Sequence, residues 1–109
     1  MITINIYYTG ESQSASKFAK EMIDSGLVEK IRKEDGDLRY EYFYPLEESD
    51  TVLLIDSWQD QGALDKHHKS HLMKEISKLR DKYNLHMKVE RYVLQDGGVS
   101  NKDKKYIRQ

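Results

Sequence analysis

Asp56 and Trp58 close an apolar run, Val52 to Ile55, and a short way beyond them come the histidines His67, His68 and His71. A strand would deliver a carboxylate and then an indole to its end, and the next helix would bring imidazoles back to the same junction. Such a wall suits a flat organic molecule. Three chemical readings compete for it. In the first, His67 and His71 stand at i, i+4 on one helical face and grip zinc or iron, with Asp56 adding an oxygen. The HExxH pattern is not met, because His68 occupies the glutamate position and spacing fixes no third ligand; no metal is therefore assigned. In the second, an imidazole beside an aromatic wall takes a phenolic proton, provided the pocket holds it neutral and oriented. Asp56 would orient that imidazole or bind a substrate hydroxyl, and Tyr40, Tyr42 and Tyr44 would stack on or hydrogen-bond to a planar ligand. In the third, Trp58 is a core residue, the histidines are a polar helix start and the tyrosine stripe is a dimer interface.

Other residues carry weaker signals. Asn5 interrupts a strand otherwise built on Ile2, Ile4 and Ile6, and either contacts a ligand or bonds a neighbouring loop. Arg91, if aimed into the cleft, would stabilise an anionic substrate; otherwise it is a solvated strand residue. His86 reads as a strand-edge residue. Lys74, Glu75, Lys78, Arg80, Asp81 and Lys82 read as the solvated face of a helix.

The elements that must position these groups follow from periodicity. Residues 2–8 alternate as a strand, with Ile2, Ile4 and Ile6 on one face and Thr3, Asn5 and Tyr7 on the other. Ala15, Phe18, Ala19, Met22, Ile23, Val28 and Ile31 follow helical spacing to about Lys33, and Gly26 weakens that helix. Leu38 to Tyr44 alternates again, with Leu38, Tyr40, Tyr42 and Tyr44 on one face. The third strand is 51–58. A second helix begins after Asp60, a good N-cap, hesitates near Ser70 and continues to Tyr83. Residues 86–94 form the fourth strand, and a polar tail follows Gly97-Gly98, mobile or docked on a partner. The order β-α-β-β-α-β is the split βαβ of ferredoxin-like α+β folds. Helices then cover one face of the sheet, and a second sheet would cover the other.

Composition narrows the class. A chain of 109 residues suits one domain, and with 38% hydrophobic and 34% charged residues its core is modest, which favours pairing with a second copy. A net charge of −1 from interspersed acids and bases gives no global field for nucleic acid or an anionic membrane. The absence of cysteine excludes disulfides and thiolate chemistry within the chain. With no signal peptide and no apolar run long enough to span a bilayer, a cytoplasmic domain is expected. Eight tyrosines against two phenylalanines favour apolar surfaces with polar tips.

Three segments together resemble the antibiotic-biosynthesis monooxygenase domain: Glu34-Asp35-Gly36-Asp37-Leu38-Arg39-Tyr40, Leu53 through Asp60 with its acid-x-Trp ending, and Ala63-Leu64 followed by His67 and Ser70. The resemblance covers about residues 1–95, leaving 96–109 as a tail. It implies a homodimeric α+β barrel of ferredoxin-like protomers, with a pocket between sheet and helices. It also implies a monooxygenase that oxidises a quinol-like or other small aromatic substrate with O₂ and without metal or flavin, the substrate acting as its own electron donor. Carried over by position, Trp58 lines the pocket and His67 is the base or proton relay at its mouth. Asp56 orients, standing where the family usually has glutamate. Read from the residues themselves, Asn5, Tyr40, Tyr42, His71 and Arg91 join the binding set. The second histidine, His71, is displaced by one position from the family's Pro-His pattern. A haem-degrading branch is disfavoured, because its helical tryptophan falls at His67 and its distal histidine near Ser77. A non-catalytic barrel that binds a small metabolite, and an isomerase of the autoinducer-processing type, remain as alternatives.

Overall fold

Alternation of apolar and polar residues decides which side of each strand meets the helices, and the computed structural model, which describes residues 1–95 and 97–108, follows that alternation closely. The chain runs β1 (Ile2–Thr9), a 3₁₀ turn (Glu11–Gln13), α1 (Ser14–Asp24), α2 (Leu27–Arg32), β2 (Asp37–Phe43), β3 (Thr51–Trp58), α3 (Gln61–Lys69), α4 (His71–Lys82), β4 (His86–Val93) and a short α5 (Asn101–Lys104). The sheet order is β2-β3-β1-β4, with every neighbouring pair antiparallel. This is the expected ferredoxin-like α+β fold. No helix of the described residues is long and apolar enough to cross a membrane.

The strand register lines up side chains in rows across the sheet. Tyr40, Asp56, Ile4 and Arg91 are successive partners in one row; Tyr42, Leu54, Ile6 and Val89 form the next. These rows face the helices. Ile6, Tyr8, Leu54 and Trp58 on the strands are buried with Phe18 and Met22 of α1, Leu64 of α3 and Ile76 of α4. Phe18 packs 4.8 Å from the Tyr8 ring and meets Tyr42 and Tyr83 edge-on, which supplies aromatic contact beyond simple burial. Thr3, Asn5, Tyr7, Leu53, Ile55 and Phe43 lie on the opposite face and are only half-buried.

Several local readings change. The first helix does not run through to Lys33: Gly26 takes a left-handed φ of 86°, which ends α1 and restarts the chain as α2. Leu38 does not share a face with Tyr40 and Tyr42. A bulge between Asp37 and Arg39 leaves it outside the pairing and exposed, while Asp37 stands opposite Trp58. Tyr44 lies past the end of β2 and is exposed. The hesitation expected near Ser70 is a full break, with Ser70 extended at ψ 155° and its hydroxyl donating to the His67 carbonyl at 2.8 Å. The tail contains one helical turn, α5.

Gly36 ties the α2–β2 turn to the start of α3. Its φ is 82°, its carbonyl accepts from the Gln59 N–H at 2.7 Å, and a Cβ placed there would lie 2.5 Å from the Cβ of Ala63. Gly26 has a similar φ but open space around it. Gly26→Ala is expected to cost about 1 kcal/mol, from the backbone alone. Gly36→Ala is expected to cost about 2–4 kcal/mol, because the clash adds to it. Urea denaturation of the two variants checks the difference; equal losses would show that the Ala63 contact imposes nothing.

Candidate active site

Asp60 begins the site. Its side chain accepts the Ala63 N–H at 2.9 Å, capping α3 and setting the rotation that turns Leu64 and His67 toward the sheet. Between that helix, α4 and the sheet lies a cavity of about 300 Å³. Asp56, Tyr40 and Ile4 form part of its floor, His67 and His68 one wall, and Arg80 of α4 another. Val89 and Arg91 of β4 line the open side and are exposed.

Four side chains are linked behind and along the wall. The buried Trp58 indole donates its N–H to an Asp56 carboxylate oxygen at 2.6 Å. Its ring stacks on the His67 imidazole, with centroids 4.7 Å apart and planes 28° from parallel. His67 Nδ1 lies 3.2 Å from both carboxylate oxygens of Glu34. A carboxylate only accepts, so Nδ1 carries the proton and Nε2 keeps the ring's lone pair. Tyr40 meets the same imidazole edge-on at 6.4 Å.

Burial sets the protonation states. It pushes the Asp56 carboxyl up to about 7; the Trp58 hydrogen bond works against that shift, and the nearby charges of Asp37 and Glu34 add to it. Asp37 is raised to about 6, by burial first and by Glu34 second. Burial lowers His67 below the ordinary imidazole range despite the opposing pull of Glu34, so the ring is neutral near pH 7. Burial also raises the Tyr40 phenol well above its usual range, which keeps it a donor rather than a phenolate.

The sequence-predicted residues separate into two groups. Asp56, His67, Tyr40 and Arg91 line the cavity, and Trp58 stands directly behind it. The others lie elsewhere. Tyr42 faces the same side of the sheet but lines a groove between α1 and β2 with Ile23 and Tyr44. Asn5 points to the opposite face, because it pairs with Ile55 and Glu90 and not with the cavity row. His71 is exposed at the start of α4. The break at Ser70 also removes the i, i+4 relation to His67 on which a metal grip would depend, and no group of three candidate ligands converges among the described residues.

Two further residues belong to the site. Glu34 gave no periodic signal, since its partner lies in a distant helix. Arg80 was read as solvated but faces the cavity, donating to the Tyr8 hydroxyl through Nε at 3.1 Å and Nη2 at 2.8 Å. Its spacing of four from the buried Ile76 and seven from Met73 was the available clue.

The family described as Antibiotic biosynthesis monooxygenase matches residues 1–79. The chain belongs to this family. The putative monooxygenase YcnE of Bacillus subtilis (strain 168) is 26% identical over 70 residues, spanning 64% of this chain and 72% of that protein. Among solved structures, a putative antibiotic biosynthesis monooxygenase from Deinococcus radiodurans superposes with a TM-score of 0.77 at 17% identity, covering 89% of this chain and 95% of its own. SnoaB of Streptomyces nogalater, described as a cofactor-independent oxygenase, gives 0.71 at 10% identity, covering 87% and 93%. These structural likenesses establish the fold of this family member.

The raised Asp56 pKa has a consequence for stability. A folded-state value of about 7 against an unfolded value near 3.8 means that the native state binds the proton more tightly, so stability from this group falls as pH rises from about 4 to 7. Asp56→Asn, which keeps an acceptor for the indole, removes that loss. The variant is expected to match wild type below pH 4 and to exceed it by on the order of 2–4 kcal/mol above pH 7. Urea denaturation of both proteins from pH 3.5 to 8 measures it; parallel profiles would show that Asp56 is ionised without cost.

Proposed function

We propose that this family member is a cofactor-independent monooxygenase acting with O₂ on a quinol-like or other small aromatic substrate that carries an acidic hydroxyl. The observation that carries the reading is the neutral His67, held by Glu34 through Nδ1 and backed by Trp58 at the wall of an otherwise largely apolar cavity. His67 Nε2 takes the hydroxyl proton, and Glu34 stabilises the imidazolium that forms. The resulting electron-rich anion passes an electron to O₂. For a hydroquinone, one oxygen atom stays on the ring as it becomes a hydroxyquinone, and the other leaves as water. The description of SnoaB as a cofactor-independent oxygenase supports this reading by analogy of fold. A volume at the lower end of the ~300–1,000 Å³ range of small-molecule sites favours one or two rings over a larger polycycle.

The domain that does this is residues 1–95, with 96–109 an appendage, and it works as a homodimer. Tyr7, Phe43, Leu53 and Ile55 are only half-buried on the second sheet face, and among the described residues Asn5 Oδ1 is buried there with no hydrogen-bond partner. A second sheet packed on that face would cover the apolar groups.

Oxygen consumption by metal-stripped protein over a panel of hydroquinones tests the chemistry. His67→Ala is expected to lower kcat/KM by roughly 10²–10⁴. Glu34→Gln, which keeps an acceptor but removes the charge, is expected to lower kcat by roughly 10- to 1,000-fold. Uptake no faster than autoxidation across the panel would remove the oxygenase and leave a binding protein. Full uptake by His67→Ala would remove the base. For the dimer, sedimentation velocity at micromolar concentration should give twice the chain mass, and Leu53→Asp should return it to the monomer; a wild-type monomer would sink the assembly.

A further inference from the structure

Arg80 is fixed in place but, among the described residues, makes no ion pair, and the Asp56 carboxyl of the same cavity acts on it only at longer range. Tyr8 takes one N–H from Nε and one from Nη2, and the guanidinium carbon lies 5.5 Å from the Tyr8 ring centroid. Among the described residues, the ion pairs involve other bases: Lys20, Lys33, Arg39, Lys82 and Lys88, with His67 on Glu34. The partner that Arg80 does have is a phenol whose ionisation burial opposes. A half-buried guanidinium on a neutral partner is an unbalanced charge, and such charges call for an anion.

The cavity around it repeats the imbalance. Arg91 lines the same space from β4, in the row that contains Ile4 and Asp56. Among the described residues, Asp56 is the one carboxyl lining that space. The chain as a whole carries −1, so the positive excess is local to the cavity. Geometry also limits what the anion can be. With Nε and one Nη2 hydrogen committed to Tyr8, the end-on edge formed by Nη1 and the second Nη2 hydrogen stays available. That edge matches the two oxygens of a planar carboxylate. The apolar floor of Ile4, Ile6 and Leu54 beside it takes a ring.

We infer that the ligand of this cavity is an aromatic carboxylate, its ring on the apolar floor, its carboxylate on the end-on edge of Arg80 and Arg91 at the mouth. The inference rests on reading the cavity as the substrate site and adds the substrate's second functional group. A hydroxyl faces His67 and a carboxylate faces Arg80, so the two polar groups fix the ring's orientation for proton transfer.

Calorimetric titration of the intact chain with matched probes tests it: 1-hydroxy-2-naphthoate, 1-naphthol and 1-naphthyl phosphate. The carboxylate should bind at least about tenfold tighter than 1-naphthol. Arg80→Gln should bring the two within about twofold, and a cooperative urea transition of the variant shows that it is folded. Arg80→Lys, keeping the charge without the fork, should fall between. Equal wild-type affinities for carboxylate and naphthol would overturn the inference, without need of any variant, and leave the oxygenase reading standing. A carboxylate advantage that survives Arg80→Gln would overturn the assignment to Arg80. Tighter binding of the phosphate than of the carboxylate would overturn the carboxylate class. Binding of none of the three would overturn the aromatic cavity itself, and this inference with it.

Discussion

A buried indole N–H must find an acceptor, and Trp58 finds it in Asp56, two residues earlier on the same face of β3. The rest of the site depends on that bond. The period-two geometry of a strand puts both side chains on the helix side, and the hydrogen bond fixes the plane of the indole. The fixed indole then offers a flat face to His67 at 4.7 Å. The imidazole is thus located from one side by stacking and from another by Glu34. Neither contact alone would determine both the position and the orientation of the ring.

The elements carrying these groups were largely legible in the chain. Alternation in residues 2–8 and 51–58 gave the faces of β1 and β3, and Asp60 marked the start of α3. What was not legible came from interactions that periodicity does not encode. The bulge at Leu38 shifted one residue out of register and moved Leu38 away from the tyrosine row. The extended Ser70 separated two histidines that share a face only in an unbroken helix. Asn5 was marked as polar among isoleucines, but a strand has two faces, and Asn5 belongs to the one without the cavity. Arg80 looked like one more charge on a solvated helix, although its spacing from Ile76 already placed it on the buried side. Glu34 and His67 lie in separate elements, and only the folded chain brings the carboxylate to the ring.

The site is costly to build. Burial drives Asp56 to about 7 and His67 downward, so both lean toward their neutral forms where the pocket must work. A purely structural junction would have little reason to bury a carboxyl and an imidazole in the lining of one cavity. Apolar residues of similar volume would pack there without that penalty. Perturbed groups lining a cavity are a mark of functional sites. Here the geometry agrees with the electrostatics, since the ring nitrogen left free of Glu34 belongs to a residue of the cavity wall.

Charge balance connects the two ends of the proposed reaction. Moving a proton from a substrate hydroxyl to His67 creates an imidazolium and an aromatic anion together, in a space where unpaired charge is unfavourable. The imidazolium forms against Glu34, which is already in contact with Nδ1. The anion forms in a cavity where Arg80 and Arg91 together carry one positive charge more than the substrate's carboxylate, and where Asp56 is pushed toward neutrality. Each new charge therefore meets a fixed charge of opposite sign, in place before the proton moves. That arrangement stabilises the charge-separated state more than the neutral pair that precedes it, which is the condition for lowering the barrier to deprotonation.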